Sequence, residues 1–141
     1  MAWSPLMMKR MSQVRDLRMR MAEVHLLREE RALEERRSEQ AQRRQDLART
    51  ETDARDAARK ANETLVGRTT GGRSGITQWA LDRQQARRDV AQAHALVEDA
   101  VAAQARQQRV CEDARQRWRG TRFDVERLRL LTEATPDDSR D

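Results

Sequence analysis

Few residues in this chain have the type and spacing to do chemistry. The segment Gly67-Arg-Thr-Thr-Gly-Gly-Arg-Ser-Gly75 sets four residues between Gly67 and Gly72-Arg73-Ser74. That spacing is close to a phosphate-binding loop, where backbone N–H groups cradle phosphate oxygens and a lysine neutralises them. Such a loop needs a strand before the glycines, a helix after them and a distant carboxylate for magnesium. Here a helix-forming run precedes the glycines and Arg73 stands where the lysine belongs, so the segment reads as a plain turn. His25 and His94 are the only histidines. Neither sits in a Cys/His spacing that fits zinc, and they read as solvated flank residues. Cys111 is the only cysteine, so no internal disulfide can form. It falls on an apolar stripe, where a free cysteine behaves as a small hydrophobe. A nucleophilic cysteine would need a neighbouring base in a pocket. No catalytic, cofactor-binding or metal-binding residue emerges, and the chain reads as a non-enzyme.

The composition points to long helices rather than a globule. Charged residues make up 38% of the 141, aromatics only 3%, and Tyr is absent. Mean hydropathy is −1.04. A globular core needs more large apolar side chains than this. Disordered chains are rich in Pro, Gly and Ser. This one has two Pro and five Gly, four of the Gly lying between 67 and 75. Ala, Arg, Glu, Gln and Leu dominate, and all are strong helix formers. The first residues place their apolar side chains before Lys9 and Arg10, the reverse of an export signal. A cytoplasmic chain is the simplest expectation.

The helices can be placed from their punctuation. Ser4 is a good N-cap and Pro5 suits the first helical position. No Gly or Pro follows until Gly67, so a first helix is expected over about 5–66. The loop is expected over 67–75. Ser74 would cap a second helix over about 76–133, ahead of a flexible tail, 134–141, that contains Pro136. So short a loop permits only an antiparallel return. The expected architecture is all-α: a two-helix antiparallel coiled-coil hairpin forming one elongated domain, roughly 90 Å long at about 1.5 Å per residue.

Heptad patterning supports this. Alternating steps of three and four from Ile76 lead through Trp79, Arg83, Ala86, Val90, Ala93, Val97, Ala100, Gln104, Gln107, Cys111, Ala114, Trp118, Thr121, Val125, Leu128 and Thr132. Twelve of these seventeen are apolar, against about six expected from the 37% hydrophobic composition. A sustained seven-residue repeat implies a left-handed supercoil. In the first helix Met19, Leu26, Leu33, Gln40, Leu47, Ala54 and Ala61 keep a seven-residue step, joined by Ala58 and Leu65. Before Met19 the stripe drifts to Met7, Met11, Val14, Leu17, Met21 and Val24. With the turn near Thr70, facing positions total about 141, give or take a turn. Ala54, Ala58 and Ala61 then lie beside Trp79, Arg83 and Ala86. The polar patch Arg37–Gln40–Arg44 lies beside Val97, Gln104 and Gln107. One-turn ion pairs such as Glu39/Arg43, Glu51/Arg55 and Asp113/Arg117 would add a few tenths of a kcal/mol each.

Charge singles out one end. Residues 1–20 hold Lys9, Arg10, Arg15, Arg18 and Arg20 against Asp16 alone. Residues 115–131 hold six arginines against Asp124 and Glu126. Together these segments exceed the chain's net +5, so the remainder is slightly acidic. The same end gathers Trp3, Leu6, Met7, Met8, Met11, Leu17, Met19 and Met21 with Trp118, Phe123, Val125, Leu128, Leu130 and Leu131. One seam covers only part of that set. The alternatives are extra local packing, or an apolar and basic tip that inserts into a partner. Gly120 would loosen this end. Nucleic-acid binding would want a continuous basic stripe and stacking aromatics, whereas Arg here alternates with Glu and Asp.

A long antiparallel hairpin with a short polar loop, no pocket and sticky basic ends resembles the stalk proteins of type III secretion and flagellar export (FliJ- and YscO-like). The stretch Glu39-Gln-Ala-Gln-Arg-Arg-Gln-Asp-Leu47 and the Trp-bearing second helix are similar too. The resemblance implies a central stalk, monomeric when alone, that enters a hexameric export ATPase as the γ subunit enters a rotary ATP synthase. It also implies contacts with an export-gate membrane protein and with secretion chaperones, at the cytoplasmic periphery of the inner-membrane apparatus, without membrane insertion or nucleic acid. The expected ring-binding residues are Trp3, Leu6, Met7, Met8, Met11, Arg15, Arg18, Arg117, Trp118, Arg119, Arg122 and Phe123. Arg68 and Arg73 mark the distal loop. Ala54, Ala58, Ala61, Trp79, Ala86, Val90, Ala93, Val97 and Cys111 form the seam. A coiled-coil adaptor or tether without an ATPase partner, and an RNA-binding hairpin, remain the competing readings.

Overall fold

The computed structural model describes residues 4–67 and 72–134. They form two α-helices, α1 (Pro5–Gly67) and α2 (Gly72–Ala134), of 63 residues each. Among the described residues there is no strand. The protein is an all-α antiparallel helical hairpin.

The start of α1 is built as its residues dictate. The Ser4 hydroxyl accepts a hydrogen bond from the Met7 backbone N–H at 3.2 Å, and its carbonyl accepts one from Met8 at 3.1 Å. The side chain thereby satisfies one of the donors every helix leaves unpaired at its N-terminus. The far end of α1 and the beginning of α2 depart from expectation. Gly67 is the last residue of α1 rather than the stop beyond it, and α2 begins at Gly72 rather than at Ile76. Ser74 therefore lies inside α2, not at its cap. The connecting segment shrinks to 68–71, outside the described residues, as are Trp3, Arg68 and the tail 135–141. A helical Gly costs about 1 kcal/mol relative to Ala, a bias that tertiary packing overrides. Gly75 shows how: it is half-buried one turn before Trp79, on the face that meets α1.

Side-chain burial on α2 follows the heptad. From Gly75 to Leu128 the residues turned from solvent step by three and four through Trp79, Arg83, Ala86, Val90, Ala93, Val97, Ala100, Gln104, Gln107, Cys111, Ala114, Trp118, Thr121 and Val125. Only the expected terminal members, Ile76 and Thr132, are exposed.

On α1 the expected drift does not occur, and of its members only Met11 is half-covered. The inward stripe keeps its step through Met8, Arg15, Met19, Ala22, Leu26, Glu29 and Leu33. Met7, Val14, Leu17, Met21 and Val24 face solvent instead. Their 3-4-3 spacing imitates a seam, but it belongs to a different face of the helix.

The chain divides into two packed units, each a pair of antiparallel segments. The first comprises Met1–Glu34 with Arg106–Asp141, the second Glu35–Ala105. In the first unit Leu26 and Leu33 of α1 and Cys111 and Ala114 of α2 are buried. Large residues from one helix and small ones from the other fill the interface without forcing the backbones apart. Among the described residues of the second unit only Ala100 is buried. Ala54, Ala58 and Ala61 on α1, and Ala86, Val90, Ala93 and Val97 on α2, are half-covered. Ala layers bury little area, at about 0.8 kcal/mol per CH₂ removed from water. Open grooves run along this seam, one lined by residues such as Asp46, Asp53, Ala57, Asp89 and Leu96, the other by Ala58, Ala61, Arg87 and Val90.

Candidate interaction surface

Polar side chains fasten each unit across the helix pair. In the second unit the Trp79 indole N–H donates to Asn62 Oδ1 at 3.3 Å, and the Arg83 guanidinium lies 5.1 Å from the Trp79 ring centre. His94 Nε2 lies 3.3 Å from Glu51 Oε1. In the first unit Arg15 meets Asp124 at 3.4 Å and Arg115 meets Glu30 at 3.7 Å. These four cross-helix pairs lie within about a turn of the register inferred from a turn near Thr70.

Gln107 lies elsewhere than expected. Its amide donates to the Glu29 carbonyl oxygen at 3.1 Å and to the Glu29 carboxylate, and not to the Arg37–Gln40–Arg44 patch. One side chain thus satisfies a backbone and a side-chain acceptor at a partly buried layer. Gln104 Oε1, also enclosed, has no protein donor. The expected one-turn ion pairs are replaced as well. Glu39 binds Arg36 and Glu51 binds His94, each choosing a partner other than the arginine one turn on.

These contacts sort the expected ring-binding residues. Met8, Met11, Arg15 and Trp118 are half-covered at the seam, and Arg15 is engaged by Asp124. Arg122 lies 5.4 Å from the Trp118 ring centre and pairs with Glu126 at 3.4 Å. Leu6, Met7, Arg18, Arg117, Arg119 and Phe123 are exposed. Among the described residues no carboxylate lies within ion-pair distance of Arg18, Arg117 or Arg119. Trp3 and Arg68 lie outside the described residues, as does the Arg73 side chain. Of the seam residues, Cys111 is enclosed and the rest are half-covered.

Leu17 and Met21 belong to the apolar set expected at this end, whereas Val14 and Val24 were expected in the seam alone, and all four are exposed. The available clue was their own heptad step, out of phase with Met19, Leu26 and Leu33. The loop glycines have no strand before them, since α1 runs to Gly67. Among the described residues no group of three or more His, Cys, Asp or Glu is arranged to hold a metal ion. None of their helices is long and apolar enough to cross a membrane.

No family model, curated protein or solved structure matches the chain. Its first unit offers unpaired guanidinium groups beside exposed apolar side chains, carried on two helices whose other faces are committed to each other. That arrangement suits binding to an acidic, partly apolar protein surface.

Proposed function

We propose that this hairpin is a non-enzymatic stalk of a type III secretion export apparatus. In this reading the first unit enters the ring of a hexameric export ATPase, and the second unit reaches toward the export-gate membrane protein. The observation that carries the proposal is the set Arg18, Arg117 and Arg119, exposed and without carboxylate partners among the described residues, next to exposed Leu6, Met7 and Phe123. Unpaired surface arginines steer association with an acidic lumen and lose little when contacts exchange as a ring cycles. Long flexible Met side chains adapt to the unequal subunits such a ring presents.

The direct experiment measures ATP hydrolysis by the purified hexameric export ATPase with and without the hairpin. Wild-type protein should stimulate it, and the double variant Arg117→Glu/Arg119→Glu should not. Equal stimulation by both proteins would remove the basic surface from the mechanism. An absence of stimulation by the wild type would favour a coiled-coil adaptor without an ATPase partner. One observation supports that second reading, the apolar stripe on α1 that faces away from α2.

A further inference from the structure

The first unit carries a second heptad seam that its own two helices leave uncovered. On α1 the inward stripe places Met19, Leu26 and Leu33 at one core heptad position and Met8, Arg15, Ala22 and Glu29 at the other. In that register Met7, Val14 and Met21 fall at position c, and Leu17 and Val24 at position f. Both positions point to solvent in a two-stranded coil and are ordinarily polar. Here Val14 is 48% exposed, Leu17 58%, Met21 64% and Val24 47%. The steps from Val14 through Leu17 and Met21 to Val24 are three, four and three, the spacing that forms knobs for a facing helix. Arg10 and Arg28 sit at the same positions one step beyond either end.

The charges beside this stripe indicate what covers it. Taken as a seam in its own right, it is flanked by Arg18 and His25 on one side and by Gln13 and Arg20 on the other. No acid occupies a flanking position between Arg10 and Arg28. Asp16, Glu23 and Glu30 lie at the heptad position that borders the buried seam, where Glu30 already holds Arg115. Flanking charges set partner choice in coiled coils. A second copy of this chain would set Arg18 and Arg20 against arginines in an antiparallel pair and against Gln13 and His25 in a parallel one, and in neither does a flanking acid of the seam meet them. A membrane surface would accept the arginines. However, the stripe is only two core positions wide, and its described residues include no Trp or Phe to seat at the interface.

We infer that the outer face of α1 between Val14 and Val24 is a docking seam for a third helix, supplied by a partner protein whose own apolar heptad is flanked by Glu and Asp. The partner's acids meet Arg18 and Arg20, and its apolar knobs seat among Val14, Leu17, Met21 and Val24. The seam shares Arg18 with the surface of the ring-ATPase reading, whereas Arg117 and Arg119 of α2 belong to that reading alone, so variants of Leu17 and Met21 and variants of Arg117 and Arg119 test the two separately.

The probe is a labelled four-heptad peptide with Leu at both core positions and Glu at both flanking positions. A second peptide of identical composition has its leucines shuffled off the heptad. Fluorescence anisotropy should show the heptad peptide binding the full chain one to one, with the shuffled peptide weaker by about tenfold or more, as loss of the knob packing requires. The double variant Leu17→Glu/Met21→Glu should weaken binding by a similar factor. Both side chains are exposed, so the variant should keep the wild-type melting temperature. Leu81→Glu, at an exposed site in the second unit, should bind as wild type does. Equal binding of the shuffled peptide, or undiminished binding by the double variant, would reduce the contact to plain charge attraction and overturn the seam. A dimer in light scattering that Leu17→Glu/Met21→Glu abolishes would assign the face to a second copy. Retention on phosphatidylserine vesicles, lost in that variant and with no peptide binding, would assign it to lipid.

Discussion

Cys111 is only 1% exposed, the most enclosed side chain in the first unit's core. A thiol so placed reacts only when the helices separate locally. Iodoacetamide should therefore label the native protein slowly, and guanidinium should bring labelling to the rate of a free thiol. Rapid labelling of the native chain would mean that this layer opens readily. Gly120 presents the opposite case. It sits within α2 on the exposed face, and a Cβ placed there would meet nothing within 4 Å. The expected loosening leaves no break in the helix, so its cost lies in the flexibility of the unfolded chain. Gly120→Ala should raise stability by about 0.5–1 kcal/mol, read from the urea midpoint. The packing role of Cys111 was legible from sequence, because it follows from local spacing. The pairing of Gln107 with Glu29 was not, since it depends on the axial fit of one helix against the other.

At the scale of elements, both helices obey the same rules but were not equally readable. α2 has one apolar stripe, so counting threes and fours found the seam. The N-terminal part of α1 has two stripes, and counting alone had no means to rank them. A helix shows its inner face only through the face it meets, and Leu26 and Leu33 settle the matter by their burial. The two faces should differ sharply in energetic weight. Leu26→Ala should cost about 2–3 kcal/mol, the lower part of the range for truncating a buried leucine. Leu27→Ala, at a site 55% exposed, should change stability by less than about 0.5 kcal/mol. Thermal denaturation of the two variants makes the comparison. Equal losses would mean that the seam lies elsewhere.

At the scale of the whole molecule, the two units differ in what holds them. The first buries leucines against a cysteine and an alanine, whereas the second has half-covered alanines bordered by grooves. Amide hydrogen exchange should therefore be faster in the second unit, over about residues 45–64 and 77–99, than around Leu26 and Cys111. Uniform protection along both helices would show that the alanine seam is as cohesive as the leucine one. From sequence alone came the two helices, the Ser4 cap, the period of α2 and the antiparallel return. These depend on backbone hydrogen bonds within a few residues, on helix propensity and on the reach of a short connection. Tertiary structure alone decided which stripe of α1 lies inside, where Gln107 finds its acceptors, how far α2 extends past its glycines and which arginines are left without partners. Each of those depends on side chains of both helices at once, and the chain order of one helix does not contain the axial fit of the other.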